Sequence, residues 1–454
     1  MLKFIGRERP VHEPFMKNIK ISVFAFCLVL AGIFVCCSFK QKGPVAETAG
    51  TIQKCLIVSD IHFSPLYAST ENDTVLKKKL STSSFDQWIQ YFESTPAQMA
   101  LDTTCLGQDA NYAVLRSAIA NMKRKLPHPA FILIAGDFIW HNAVPADSAL
   151  KKNTILFIAR LFKDNFPGAL IVPAMGNNDT YGNDYDLQDP KFLRDFADAW
   201  QPNLPASSAD SLKANGYYTC ETGNLKFVVF NSAAVYANSK YPQAAPMMGW
   251  LQNNLAAANG KNVWIITHIP PGLNGYNDQP FWIPAYTQLF TNDMVKYSST
   301  VKFTIGSHTH FNDFKVVYHD AQIPAPVSFI RIVPSVCSNH GNYPSFEVAE
   351  FSPLSGSVSN ETNWYLNLRK VKKGIKPRDV IWTDSVNLKA SFGLKNISAV
   401  SLSGVLDGIS ADKSGHALNA YVNFYNVGTP IPSAKTINQN NIHGYLQADS
   451  LKER

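Results

Sequence analysis

Five short motifs in this chain carry side chains that bind metal ions: Asp60-Ile61-His62, Gly136-Asp137, Gly176-Asn177, His268, and His308-Thr309-His310. Imidazole and carboxylate together suit Zn²⁺, Mn²⁺ or Fe better than Ca²⁺, and no cysteine adjoins the motifs to make a thiolate site. These donors are too many for one four- or five-coordinate ion. They suit two ions that share a carboxylate, and Asp137 is the candidate bridge. Two cations roughly 3.5–4 Å apart are the arrangement for in-line displacement at phosphorus. They generate hydroxide from a bridging water and take up charge on the phosphoryl oxygens. Zn²⁺ is the first expectation for both positions, with Mn²⁺ or Fe as alternatives.

Such side chains need rigid supports. Each motif follows an apolar run that reads as a strand buried on both faces: 55–59, 131–135, 169–173, 263–267 and 301–305. In open α/β sheets, ligand sites lie beyond the carboxyl ends of the strands. The two-residue period puts Asp60 with His62, and His308 with His310, on one side of an extended segment. Residues 225–230 read as a further strand, and 111–126, 147–166 and 248–258 as helices. Residues 64–108 are a Ser/Thr/Asp-rich excursion with short helices over the site, and 273–300 are loops. Strand and helix alternate, so the chain is expected to be α/β. After Ser352 it becomes Ser/Asn-rich, with helix-like pieces at 364–371 and 400–409. Residues 352–454 therefore read as a C-terminal appendage on a catalytic body of 54–351.

The motif order Asp-x-His, Gly-Asp, Gly-Asn, His, Gly-x-His-x-His resembles that of the calcineurin-like metallophosphoesterases over roughly residues 55–350. The resemblance implies their four-layer α-β-β-α sandwich. It places a first metal on Asp60, His62, Asp137 and His310, and a second on Asp137, Asn177, His268 and His308. Within that family the chain looks most like the acid sphingomyelinase-like phosphodiesterases. Asp137 is followed four residues later by His141, and Trp282, Tyr286, Asp313, Pro334-Ser335 and 342–346 also fit. Two positions depart from the pattern: Asn178 stands where a His is usual, and Ser307 where a Gly is usual. Gly-Asn-Asn-Asp also resembles endopolyphosphatase-like members. The implied activity is hydrolysis of a phosphodiester, with polyphosphate or nucleotide hydrolysis as the alternative and a non-catalytic, metal-stabilised surface protein as a second. His141 is the expected proton donor, with Asn178 beside it. Tyr276, Phe281, Trp282 and Tyr286 read as packing, with a substrate-facing lid as the alternative. The expected partner is a phosphorylated small molecule, a lipid head group or polyphosphate.

A chain of 454 residues, 46% hydrophobic and 17% charged, is globular with a large core. Its net charge of +7 gives no reason to expect nucleic acid, and no Lys/Arg block is long enough to argue otherwise. Residues 21–37 are apolar and follow Lys17 and Lys20, the pattern of a secretory signal with Met16 as its natural start. The run ends at Cys36-Cys37-Ser38, where a bacterial lipoprotein is cut and lipidated. A single membrane-anchoring helix is the competing reading. Residues 38–53 are then a tether, and the body is exported to the periplasm or cell envelope. There Cys55, Cys105, Cys220 and Cys337 either form disulfides, in three possible connectivities, or stay as buried thiols.

Overall fold

The computed structural model describes residues 51–448 apart from 70–72, 188, 240, 276, 320–324 and 430–436. The signal, Cys36, Cys37, most of the tether and Tyr276 lie outside the described residues. In chain order the strands are β1 (Gln53–Val58), β2 (Ile132–Ile134), β3 (Ile171–Pro173), β4 (Tyr218–Thr222), β5 (Leu225–Val229), β6 (Asn262–Ile266) and β7 (Leu273–Asn274). They continue as β8 (Gln279–Pro280), β9 (Val301–Gly306), β10 (Asp313–Tyr318), β11 (Pro326–Ile332), β12 (Ser345–Phe351), β13 (Val358–Tyr365) and β14 (Asp384–Asn387). Two six-stranded sheets result, in the orders β14-β13-β12-β1-β2-β3 and β10-β11-β9-β6-β5-β4. In the first, β1, β2 and β3 are parallel. In the second, β5, β6, β9 and β11 are parallel.

The apolar runs become strands because both of their faces are buried. Along β5 and β6, Phe227, Val229, Trp264 and Ile266 join the core between the sheets. Val228, Val263 and Ile265 join a second core with the helices Ala244–Ala256 and Pro284–Lys296. Phe131 packs across the sandwich on Phe227 at 4.8 Å and on Trp264 at 5.6 Å between ring centroids. The helices Tyr112–Lys125 and Ser148–Asn165 pack with the first sheet. The architecture is thus an α/β sandwich with helices on both sides, as expected.

The expected C-terminal boundary lies within a sheet. It falls between β12 and β13, which pair antiparallel from Ser345↔Tyr365 to Phe351↔Val358, and β14 adds to their edge. The helix expected at 364–371 is instead the end of β13 and a single 3₁₀ turn, Leu368–Lys370. A helix does cover 400–409, within Ala399–Ala411. The period of β13 was hidden because its inward residues include Glu361 and Asn363, which are polar. Similarly, 273–300 contains the β7–β8 hairpin and the helix Pro284–Lys296 rather than loop alone. Cys55, Cys105, Cys220 and Cys337 are buried free thiols.

Glu361 meets Arg331 of β11, so the two sheets are joined by a buried ionic cluster. Arg331 donates to Glu361 and to Glu347 of β12, each at 2.6 Å, and all three side chains are almost fully enclosed. Asn363 donates to Glu347 at 3.1 Å. Burial, with Glu347 beside it, pushes the Glu361 carboxyl up to about 8 against the pull of Arg331. A single guanidinium therefore faces two carboxyls whose charge burial opposes. Arg331→Met strands both carboxyls and is expected to cost about 3–5 kcal/mol in urea unfolding. Adding Glu347→Leu and Glu361→Leu should recover most of that loss. If the single substitution is neutral, the cluster does not join the sheets.

Candidate metal centre

The five motifs end on the backbone turns that follow β1, β2, β3, β6 and β9. Asp60, His62, Asp137, His308 and His310 all adopt left-handed backbone, with φ of 47, 38, 57, 73 and 67°. Such residues cost about 1–3 kcal/mol each and persist where their surroundings dictate them. The surroundings here are backbone hydrogen bonds between motifs. Asp60 donates to Gly136 and His62 to Asp137, both at 3.0 Å, while Cys337 donates to Asp60 at 3.1 Å and Ser335 to His310 at 3.2 Å. Asp179 closes the frame by accepting from the amides of Asp137, Phe138 and Gly176 at 2.9 Å and from Ile139 at 3.3 Å. Gly176 has to be glycine, because a Cβ there would lie 2.0 Å from Asp137 Oδ1.

This frame brings all seven expected ligands together. Asp60, His62 and Asp137 can offer donor atoms to one ion, and Asp137, His268 and His308 to another; the two groups share Asp137. His310 Nε2 lies 3.5 Å from Asp60 Oδ1, and His268 Nε2 lies 3.1 Å from both Asp137 Oδ2 and Asn177 Oδ1. The imidazoles are oriented from behind. His62 Nδ1 is 2.8 Å from the carbonyl of Ile139, and His268 Nδ1 is 2.7 Å from that of Ala135, so each turns Nε2 inward. Ser307 is more than a tolerated change, since its Oγ bonds Ala135 O at 2.9 Å and touches His268 Nδ1 at 2.8 Å.

The electrostatics ask for positive charge. Burial works against a charged His62, yet the carboxylates of Asp137 and Asp60 raise it to about 10. Burial opposes His268 too, and Asp137 raises it to about 9. Burial would raise Asp137, but His268, His62 and the Asn178 amide hold it far below the carboxylate range. Burial and the neighbouring His268 push His308 down to about 3. Asp60 Oδ1 and His62 Nε2 are buried without a hydrogen-bond partner. Orphaned polar atoms of this kind require an unseen partner. The Asp/His cluster therefore fits divalent metal ions, which are what a nitrogen and oxygen donor set of this charge accepts.

His141 stacks on His62 with centroids 3.9 Å apart, and its side chain is 29% exposed. The structure singles out Asp109, which accepts from the His141 amide at 2.9 Å and meets Nδ1 at 2.6 Å. Asn178 is placed differently from a proton donor. Its backbone and side-chain N–H groups are bonded to Asp137, at 2.8 and 3.0 Å. Asn339, His340 and Asp184 also border the site and went unnoticed. Asn339 Nδ2 is 3.1 Å from His141 Nδ1, His340 is edge-on to His310, and Asp184 accepts from Asn177 at 2.7 Å. Cys337, far from every motif in sequence, lies 3.4 Å from His310 Nδ1, with burial pushing its thiol well up.

The centre opens into a cavity of about 440 Å³, whose far wall includes Phe281, Lys315, Tyr425 and Tyr445. Phe281 and Trp282 are buried as expected, although Phe281 also faces this cavity.

Residues 54–312 match the family model described as calcineurin-like phosphoesterase. The acid sphingomyelinase-like phosphodiesterase 3b of Homo sapiens is 26% identical over 385 residues, covering 79% of this chain and 80% of that one. The cyclic GMP-AMP phosphodiesterase SMPDL3A of Rattus norvegicus is 24% identical over 431 residues, covering 88% and 92%. Among solved structures, a purple acid phosphatase from yellow lupin aligns with a TM-score of 0.44 at 12% identity, over 75% of this chain and 54% of that one.

Proposed function

The chain belongs to the calcineurin-like phosphoesterase family, and on that footing we propose that it is an exported phosphodiesterase with two divalent ions, Zn²⁺ in the first instance. Asp60, His62, Asp137 and His310 hold the first ion; Asp137, Asn177, His268 and His308 hold the second. Ions bound there would supply a nucleophilic water near neutral pH and compensate charge on the phosphoryl oxygens. The chain's own residues do the rest. Asn178 fixes the Asp137 carboxylate, the cavity takes the group attached to phosphorus, and His141, set by Asp109, hands a proton to the group that leaves. The observation that carries this reading is the pair of orphaned ligand atoms, Asp60 Oδ1 and His62 Nε2, within a largely buried Asp/His cluster.

The test compares bis-p-nitrophenyl phosphate with p-nitrophenyl phosphate. The diester is expected to turn over faster, to lose activity with chelator, and to regain it with Zn²⁺ or Mn²⁺. Faster monoester or polyphosphate turnover would favour the second reading, a polyphosphate or nucleotide hydrolase, which Asn178 in place of the usual His supports. Full metal content without turnover of any of these would leave a metal-stabilised surface protein.

Among the described residues no helix is long and apolar enough to cross a membrane. The apolar run that ends at Cys36-Cys37 supports attachment through the N-terminus, with lipid on Cys36 or Cys37. Replacing both by Ser should abolish incorporation of labelled fatty acid while diester hydrolysis continues. Unchanged labelling would remove the lipoprotein reading alone.

A further inference from the structure

Residues 369–378 read Arg-Lys-Val-Lys-Lys-Gly-Ile-Lys-Pro-Arg, six cations in ten residues with no acid among them. All six are exposed. The fold adds more charge, because the helix Tyr112–Lys125 ends on Lys123, Arg124 and Lys125. Arg124 donates to the carbonyls of Arg378 and Val380, which holds the run against that helix. Arg116, Lys376 and Arg378 border a cleft of about 320 Å³ with Glu93. The acids set among these cations are few. Lys370 pairs with Asp384 at 2.8 Å, Arg378 lies 3.9 Å from Asp379, and Lys373 acts on Asp102. Two large apolar side chains within or just after this run are exposed, Ile375 at 42% and Ile381 at 63%.

This face adjoins the metal centre. The turn Leu368–Lys370 packs on the turn Thr103–Cys105. Gly107 donates to Ser338 at 2.7 Å and Ser338 to Gln108 at 3.2 Å. The residues that follow, Asp109 and Asn339, are the ones that touch His141.

We propose that this basic face docks the enzyme on an anionic bilayer, with Ile375 and Ile381 entering the headgroup layer. Each Lys or Arg close to such a surface raises partitioning about fivefold, and the effect decays within a Debye length. The isoleucines decide between a bilayer and a soluble polyanion. Polyphosphate or nucleic acid would engage the cations and gain nothing from exposed isoleucine, whereas a headgroup layer buries it. Docking here is independent of which diester is hydrolysed.

Sedimentation of the full-length chain with vesicles tests the proposal. Vesicles of phosphatidylcholine with about 30% phosphatidylserine are compared with phosphatidylcholine alone, at ~0.1 M salt. The ratio of the two cancels any contribution of the N-terminus. We expect a ratio well above ten, falling steeply with salt, and lowered about 100-fold by Lys372→Gln, Lys373→Gln and Lys376→Gln together. Ile375→Ser with Ile381→Ser should lower binding to anionic vesicles about tenfold while leaving retention on a polyphosphate resin unchanged. Every variant should hydrolyse bis-p-nitrophenyl phosphate as the parent does. A parental ratio near one, or a ratio indifferent to the three lysines, would overturn the proposal. So would lysine variants that lose the resin while the isoleucine pair changes nothing, which would make the face a soluble-polyanion site.

Discussion

Asp137→Asn is expected to abolish diester hydrolysis, by at least about 10³-fold in kcat, and to lower bound metal from two ions toward one or none. The substitution barely changes volume, so the effect is one of charge and donor geometry. Asp137 belongs to both ligand groups, and a neutral amide compensates neither cation. The local hydrogen bonds make it worse. The carboxylate accepts from two N–H groups of Asn178 on its two oxygens. An amide in its place must turn an NH₂ toward one of those donors. Metal content by elemental analysis and turnover of bis-p-nitrophenyl phosphate check both halves, with thermal unfolding as the control for folding. His308→Ala and His310→Ala should each empty a different position and leave the other occupied. A variant with Asn at position 137 that keeps two ions and near-normal turnover would remove the bridge assignment, and with it the reading of the whole site.

The parts of the site that were legible in sequence share one physical cause. Fully buried parallel strands have to be continuously apolar, so 55–59, 131–135, 263–267 and 301–305 stand out, and the polar residues just beyond them are conspicuous. The less legible parts depend on partners remote in sequence. β13 pairs with β12 and aims Glu361 at a buried arginine and Asn363 at Glu347, so its inward face is polar and its period is invisible. Asp179 looks like the tail of a turn motif, yet it is the anion that ties four backbone amides from two strand ends. Asp109 precedes an ordinary helix start and carries no local signal of its contact with His141. Ser307 reads as a small departure from a pattern, and only the packing of β9 against the end of β2 shows its hydrogen bond to Ala135.

His141→Ala is expected to cost at least about 10²-fold in kcat for a diester with a poor leaving group, and much less for p-nitrophenolate, which departs without a proton. An imidazole suits proton transfer near neutral pH, whereas the amide of Asn178 can donate a hydrogen bond but not a proton. The structure strengthens the contrast, since both N–H groups of Asn178 already serve Asp137. Asp109 takes Nδ1 of His141, so the proton for the leaving group belongs on Nε2. Asn339 bears on that proton as well. Its Nδ2 lies 3.4 Å from Nε2 while its Oδ1 is buried without a partner. Turning the amide over would give Oδ1 the Nε2–H as donor. Asp109→Asn should therefore reproduce part of the His141→Ala loss on the poor substrate and little of it on p-nitrophenyl esters, a dependence on leaving group that loss of packing alone would not produce. Because His141 also lies within reach of His62 and His310 as a third possible ligand group, metal content has to be measured alongside. Unchanged metal with a leaving-group-dependent loss supports the proton donor. An equal loss for good and poor leaving groups, or loss of an ion, would make His141 an orienting or ligating residue and send the search for the acid to His340.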